Sequence, residues 1–149
     1  MIRPARPSDV EAVALLAAAL WPEAPVSEHR EHAAAILGGR PPSTLPLVLL
    51  VAEGAGNVVG FIEVGLRSHA DGCDTRCPVG FIEGWYVQPD EQRRGVGRAL
   101  MEAAAEWARS QGARELASDT WIDEPGAQLA HAAVGFEVVD RCVHFRKRL

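Results

Sequence analysis

The sequence predicts a single domain of the α/β class, in which one mixed β-sheet carries helices on both faces. The chain has 149 residues, 48% of them hydrophobic, which argues for one well-buried core and against disorder. Strand patterns alternate with helical patterns along most of the chain. Between residues 81 and 120, a strand, an amphipathic helix and a second strand follow one another as in a crossover that joins two parallel strands. Residues 1–149 are therefore expected to form one domain.

Two helices are expected first. Ser8 precedes a run of apolar residues at helical spacing and is expected to cap a helix that ends at Trp21. A second helix is expected over Ser27–Leu37, because acidic residues occupy its first turn and two glycines follow it. A short proline-rich linker then leads into the sheet.

The central part of the chain has strand character. Leu47–Ala52 and Val58–Leu66 are apolar runs separated by a turn with two glycines, a pattern that predicts a hairpin. Ser68–Val79 is a polar loop, too long for a simple turn, and loops of this length often bind ligands. The next strand is expected over Phe81–Val87.

The last third of the chain is expected to alternate helix and strand. Apolar residues recur every three or four positions from Val96 until Gly112, which predicts an amphipathic helix. A strand over Glu115–Thr120 and a short helix starting near Pro125 should follow. Two short strands, Phe136–Asp140 and Cys142–Lys147, are expected to close the domain.

Charge and composition narrow the function classes. With 15 basic and 20 acidic side chains, the net charge of −5 argues against non-specific nucleic-acid binding and leaves a cationic partner open. No run approaches the roughly 18 apolar residues of a membrane helix, and no apolar signal core begins the chain, so we expect a cytoplasmic protein. His69, Cys73 and Cys77 lack the usual C-x2-C pairing of zinc ligands, and no metal is expected.

The segment Gln92–Gly97 has the composition of an anion-binding turn. It lies between a strand and a helix, where unpaired backbone N–H groups meet the positive end of the helix dipole. Glycines allow close approach of a ligand, and Arg93 and Arg94 add positive charge, so a pyrophosphate would fit. The segment is neither a Walker loop nor a Rossmann fingerprint. The alternative is a helix start whose arginines are merely solvated.

The turn Gln-x-x-Gly-x-Gly resembles the acyl-CoA pyrophosphate loop of the GNAT N-acetyltransferase superfamily. The order of elements, and Gly135-Phe136 after the last helix, resemble the GNAT fold over nearly the whole chain. The resemblance implies acetyl-CoA as the acetyl donor. It also implies oxyanion donors around Tyr86 and Val87, where Gly84 would ease a bulge. The implied cofactor-binding residues are Tyr86, Val87, Gln92, Arg93, Arg94, Gly95, Val96, Gly97 and Arg98.

Five further stretches resemble one GNAT branch, the aminoglycoside 6'-N-acetyltransferases. They are Leu20-Trp21-Pro22, Asp71-Gly72-Cys73-Asp74, Phe81-Ile82-Glu83-Gly84, Ala117-Ser118-Asp119-Thr120 and Phe145-Arg146-Lys147-Arg148. This resemblance implies acetyl transfer to the 6'-amine of an aminoglycoside, an activity that gives antibiotic resistance, by direct attack in a ternary complex. It also implies a homodimer. The open alternatives are a GNAT enzyme that acts on a protein N-terminus, a lysine or a polyamine, and a non-catalytic acyl-CoA-binding domain.

Two acids stand in otherwise apolar strands. By alternation, Glu83 should share a face with Phe81, Trp85 and Val87, while Asp119 lies on the next strand. A buried carboxylate is costly without a partner, so each acid must pair with a cation or face an open cleft. The resemblance implies that both hold the amines of the acceptor, that one helps to remove a proton, and that Trp21 forms one wall of the cleft.

His131 lies four residues before Gly135, where many GNAT enzymes have a tyrosine that protonates the departing thiolate. A histidine can serve as an acid near neutral pH, so the resemblance implies this role for His131. The alternative is a helix-surface histidine without a chemical role.

Overall fold

The computed structural model describes the whole chain, Met1–Leu149, and contains one five-stranded sheet in the order β1-β2-β3-β4-β5. The strands are β1 (Ile2–Pro4), β2 (Leu47–Gly54), β3 (Asn57–Arg67), β4 (Val79–Val87) and β5 (Leu116–Ser118), and the helices are α1 (Val10–Leu20), α2 (Val26–Leu37), α3 (Val96–Ser110) and α4 (Pro125–Ala133). The first four strands pair antiparallel, while β4 and β5 are parallel and joined through α3. The predicted α/β fold with a mixed sheet is confirmed.

Helices cover both faces of the sheet, as predicted. Alternation along β3 sends Phe61 into a cluster with Val13 of α1, whereas its neighbour Ile62 packs with Leu100 of α3. Phe61, Ile62 and Leu100 are among the most deeply buried side chains. Each such side chain contributes about 1.5–3 kcal/mol through burial alone. The two clusters fix the sheet between α1 and α2 on one side and α3 on the other.

The N-terminal residues differ from the prediction. The strand β1 was not expected, because Ile2–Pro4 has no strand pattern of its own and is held by pairing with β2. The prediction that Ser8 caps the first helix is wrong. Asp9 instead accepts a hydrogen bond from the backbone N–H of Arg6 (2.7 Å) and two from the Arg3 guanidinium (2.7 and 3.1 Å). These bonds hold the pKa of Asp9 below its usual range, with Arg3 the main cause.

The strand β4 contains a bulge. In the pairing with β3, Glu63 lies opposite Gly84 and Val64 lies opposite Ile82, which leaves Glu83 as an extra residue. The prediction that one face holds Phe81, Glu83, Trp85 and Val87 is therefore wrong for Trp85 and Val87. Beyond the bulge, Trp85 and Val87 pack in the α3 cluster, whereas Phe81 packs on the opposite face with Ala70 and Val79.

The end of the chain also departs from the prediction. Residues 137–149 contain no strand, and no backbone–backbone hydrogen bond joins them to the sheet or to each other. The predicted strands Phe136–Asp140 and Cys142–Lys147 are therefore wrong. Their apolar alternation is present, but a strand also needs a backbone partner, and none lies alongside. Apolar side chains such as Val143 and Phe145 stay exposed, the latter to 93%. We call residues 137–149 the C-terminal segment.

None of the helices combines the length and the apolar character needed to cross a bilayer.

Candidate active site

The two parallel strands separate at their carboxyl ends. Pairing between β4 and β5 runs from Gly80 opposite Leu116 to Ile82 opposite Ser118 and then stops, although β4 continues to Val87. The next residues, Glu83 and Asp119, lie where the strands part. We call this opening the fork. Ligands of α/β sheets bind at the carboxyl ends of parallel strands, so the fork is the expected site of chemistry.

The glycine turn lies where β4 gives way to α3. Gly95 has φ of 85°, a conformation that favours glycine, and no other residue lies within 4 Å of the position that a Cβ would occupy. The first N–H groups of α3 have no partner inside the helix and point outward with the positive end of its dipole. An anion can therefore approach the backbone closely at Gly95.

The other conspicuous residues of the turn have packing roles. The Gln92 side-chain amide donates to the Val87 carbonyl (2.9 Å), which fixes the turn against the end of β4. At Gly97, a Cβ would lie 3.1 Å from the Trp85 ring, so glycine lets α3 pack closely on that indole. The indole N–H of Trp85 is buried and has no hydrogen-bond partner. Buried donors without a partner are rare in folded proteins, and this one lies next to the turn.

The three arginines of the turn differ in their contacts. Arg93 and Arg94 are exposed, and only Arg94 has an acidic neighbour, Glu91 at 3.6 Å. An exposed pair of this length contributes little, so both guanidinium groups remain available to an anion. Arg98 donates to the Ala133 carbonyl (2.7 Å) and thereby ties α3 to the end of α4.

At the mouth of the fork, Glu83 is held by Arg67. The guanidinium of Arg67 makes two hydrogen bonds to this carboxylate (2.9 and 2.7 Å) and lies 3.5 Å above the Phe81 ring. Glu83 raises the pKa of Arg67, and Asp119 adds a smaller contribution in the same direction. The expectation that Glu83 pairs with a cation is confirmed, and its side chain is still 32% exposed.

Asp119 follows the last residue of β5 and is exposed. It has no ion-pair partner and no hydrogen-bond partner in the chain. The strand predicted over Glu115–Thr120 is shorter than expected and ends at Ser118, so Asp119 leaves the sheet at the fork. A carboxylate without a partner beside a paired one is suited to bind a positively charged group.

Trp21 lies against the same part of β4. Its ring occupies the space above Gly84, where a Cβ would collide with the indole, and it stacks with His29 at 6.0 Å between ring centroids. Gly84 is therefore required by the approach of Trp21 as well as by the bulge. Trp21 also packs against the buried cluster between the sheet and helices α1 and α2, so it is a core residue at the end of α1 that borders β4 at Gly84.

One acid escaped the sequence analysis. Glu63, only 5% exposed, lies opposite Gly84 at the bulge and accepts from His32 Nε2 of α2 (2.9 and 3.1 Å). This contact raises the pKa of His32, with Glu63 the main cause and Glu83 a smaller one. The available signal was an acid in the middle of an apolar strand, which must be paired. The partner was not recognisable, because it lies 31 residues away.

His131 lies on the α3 side of the fork with both ring nitrogens engaged. Nδ1 is 2.7 Å from the Ala127 carbonyl, which can only accept, so this nitrogen carries the proton. Nε2 is then the acceptor, and the Ser118 hydroxyl donates to it at 2.8 Å. The ring also meets the edges of Trp85 and Phe136. The alternative of a histidine on the helix surface does not describe this half-buried position.

The polar loop after β3 holds no evident ion site. His69 contacts Asp71 at 3.2 Å, and nowhere in the chain are three or more His, Cys, Asp or Glu side chains placed to hold a metal ion.

Comparison with known proteins gives a consistent result. The profile of the Acetyltransferase (GNAT) family matches residues 13–136. The chain is 44% identical to aminoglycoside N(6')-acetyltransferase type 1 of Stenotrophomonas maltophilia, over 99% of this chain and 93% of the relative. It is 37% identical to the enzyme of the same name from Klebsiella aerogenes, over 100% and 97%.

Solved structures agree with these relatives. The structure of AAC(6')-Iy in complex with the bisubstrate analogue CoA-S-monomethyl-acetylneamine has a TM-score of 0.88 and 33% identity, covering 100% of this chain and 98% of that one. The aminoglycoside 6'-N-acetyltransferase AAC(6')-IG from Acinetobacter haemolyticus, solved without ligand, has a TM-score of 0.89 and 27% identity, covering 100% and 99%.

Proposed function

This chain belongs to the GNAT family of acetyltransferases, and on that premise we propose that it transfers the acetyl group of acetyl-CoA to the 6'-amine of an aminoglycoside. The observation that carries the acceptor assignment is the pair of acids at the fork. Glu83 is bound to one arginine, whereas Asp119 is exposed and unpaired. A polycationic sugar supplies the positive charge that Asp119 lacks and can add a second partner to Glu83. Both full-length relatives described above bear the name of this activity.

The residues of the turn fit the acetyl donor. The open backbone at Gly95 and the free guanidinium groups of Arg93 and Arg94 suit a pyrophosphate, and the remaining residues proposed to bind the donor are Tyr86, Val87, Gln92, Val96, Gly97 and Arg98. Arg98 keeps its contact with the Ala133 carbonyl, so we propose that its guanidinium adds positive charge at the edge of the pyrophosphate site. Acetyl-CoA is a substrate in this reaction and supplies an activated thioester.

The acceptor is proposed to bind on the opposite side of the fork. Trp21 offers an aromatic face to the sugar, and Asp119 and Glu83 hold its ammonium groups. Only the neutral amine attacks a thioester, and a carboxylate near the amine gives its proton a route to solvent. The backbone N–H groups of Tyr86 and Val87, beyond the bulge, are proposed to stabilise the oxyanion.

We propose a homodimer as the working form, with the C-terminal segment in the interface. Five exposed apolar side chains in a thirteen-residue segment without a backbone partner are unusual for a monomer, and β5 at the sheet edge is only three residues long. A second copy would cover both. Light scattering should give twice the mass of the chain.

The three cysteines form no disulfide, which supports the proposed cytoplasmic location.

Release of free thiol from acetyl-CoA tests the proposed function. Kanamycin should support rapid release, whereas spermidine and a lysine peptide at equal concentration should support little. The position of the new acetyl group on kanamycin, read by NMR, should be the 6'-nitrogen. Faster turnover of spermidine or the peptide would contradict the acceptor class, and donor binding without turnover of any amine would indicate a non-catalytic domain.

A further inference from the structure

We propose that Ser118 and His131 act as one proton shuttle, in which the Ser118 hydroxyl exchanges protons with the reacting atoms and His131 stores the proton. The inference rests on the proposed function. It assigns to Ser118 a role in catalysis, and it makes His131 act through Ser118 instead of on the leaving group directly.

The hydrogen bonds define the direction of the shuttle. The Ala127 carbonyl occupies the Nδ1 proton of His131, so the neutral ring can accept a proton only at Nε2. Ser118 is the sole hydrogen-bond partner of Nε2, at 2.8 Å. A proton that reaches His131 must therefore pass through the Ser118 hydroxyl. The rings of Trp85 and Phe136 contact other parts of the imidazole and offer no competing polar path.

Ser118 occupies the place where such a shuttle is needed. It is the last residue of β5 that pairs with β4, so its side chain stands at the start of the fork, next to Asp119. It is half-buried and points to the α3 side of the sheet, where it meets His131. The donor turn lies on that side at the start of α3, and Trp85 links the two, because its ring contacts both Gly97 and His131.

The position of His131 in α4 is compatible with a positive charge on the ring. His131 lies in the last turn of α4, where the helix dipole stabilises positive charge, and the Ala127 carbonyl accepts from Nδ1 in both protonation states. No charged side chain is hydrogen-bonded to the ring, whose polar partners are the Ala127 carbonyl and the Ser118 hydroxyl.

The proton balance closes within the site. After the amine nitrogen bonds to the acetyl carbon, that nitrogen carries one proton too many. Ser118 Oγ takes this proton while its own hydroxyl proton moves to His131 Nε2. When the carbon–sulfur bond breaks, its electron pair goes to sulfur. Ser118 then gives a proton to sulfur and recovers one from His131. One proton has moved from nitrogen to sulfur, and both residues are restored.

Four variants, S118A, S118T, H131A and S118A/H131A, test the shuttle by steady-state kinetics and calorimetry. S118A should lower kcat about 100-fold, the usual range for loss of a proton-transfer group, with the Kd of acetyl-CoA changed less than twofold. S118T keeps the hydroxyl and should recover most of kcat. S118A/H131A should be no slower than H131A alone, since two parts of one relay do not contribute independently. S110A removes a serine hydroxyl that bonds to a helix carbonyl and is the matched control.

The outcomes separate the shuttle from the proposed function. If wild-type protein acetylates kanamycin and S118A retains kcat, or S118T is no better than S118A, or the losses of S118A and H131A multiply, the shuttle is overturned and the function stands. If wild-type protein acetylates spermidine instead, the acceptor assignment fails and the same variants test the shuttle with that amine. A wild-type protein that acetylates no amine overturns both.

Discussion

The two sides of the fork are built in different ways. The side proposed to bind the donor comes from one continuous stretch, Gln92–Arg98, and presents mainly backbone N–H groups and an open glycine. The side proposed to bind the acceptor is assembled from side chains that α1, β3, β4 and the end of β5 bring together. A site made of backbone is sensitive to conformation, whereas a site made of carboxylates is sensitive to charge. Substitutions that change one property without the other should therefore affect one substrate only.

The largest effect is expected from Asp119→Asn. The substitution keeps the shape and removes the unpaired charge, and a hydrogen bond to a charged group contributes about 1.5–3 kcal/mol. The KM for kanamycin should rise roughly tenfold to 100-fold, and the KM for acetyl-CoA should stay within about twofold.

Asp123→Asn is the matched control for this charge. Asp123 is also exposed and lies four residues further along the chain, and its replacement should leave both constants unchanged. If Asp119→Asn raised both KM values equally, the assignment of Asp119 to the acceptor side would fail.

A smaller effect, on acetyl-CoA instead of kanamycin, is expected from Gly95→Leu. The side chain would fill the open approach to the turn, and calorimetry should show acetyl-CoA binding weakened about tenfold, which corresponds to about 1.4 kcal/mol. The KM for kanamycin should change little. A variant with unchanged acetyl-CoA affinity would remove the pyrophosphate from this turn.

Gly112→Leu separates binding from backbone strain. Gly112 lies just beyond the other end of α3, with φ of 88° and no neighbour near its Cβ position, so it matches Gly95 in both respects. Each substitution should lower the free energy of unfolding by about 1–2 kcal/mol, because side chains are strained at positive φ. Only the change at Gly95 should affect acetyl-CoA binding.

The smallest effect concerns the His32–Glu63 pair behind the acceptor side. The pKa of His32 is raised above 6.5 in the folded protein, chiefly by Glu63. The pair therefore contributes its full stability below pH 6.5 and loses it as the pH rises through the folded value. Urea unfolding at pH 5.5 and pH 8.5 should show this loss in wild-type protein. In His32→Gln the difference between the two pH values should be smaller, and an equal difference would contradict the assignment.

The predictable parts of the molecule are those that short stretches of sequence determine. The hairpin, α3 and the glycine turn between β4 and α3 were all expected, since apolar spacing and turn residues specify them locally. The bulge at Glu83 was not, because alternation assumes a regular strand. β1 exists only through its pairing with β2. The proposed acceptor side shows the same contrast between local and distant determinants. Glu83 and Asp119 were recognisable in the sequence as acids in apolar strands. The role of Arg67 and the His32–Glu63 pair were not, because they depend on contacts between residues distant in the sequence.

Cleavage of the C-terminal segment by trypsin can be used to follow the proposed dimerisation. Arg141, Arg146, Lys147 and Arg148 all lie in it, so trypsin can cut an uncovered segment at four positions without disturbing the sheet. A second copy that covers the segment would shield those bonds, and dilution would expose them again. The rate of cleavage at these four positions, measured against protein concentration, would then report the dissociation of the proposed dimer.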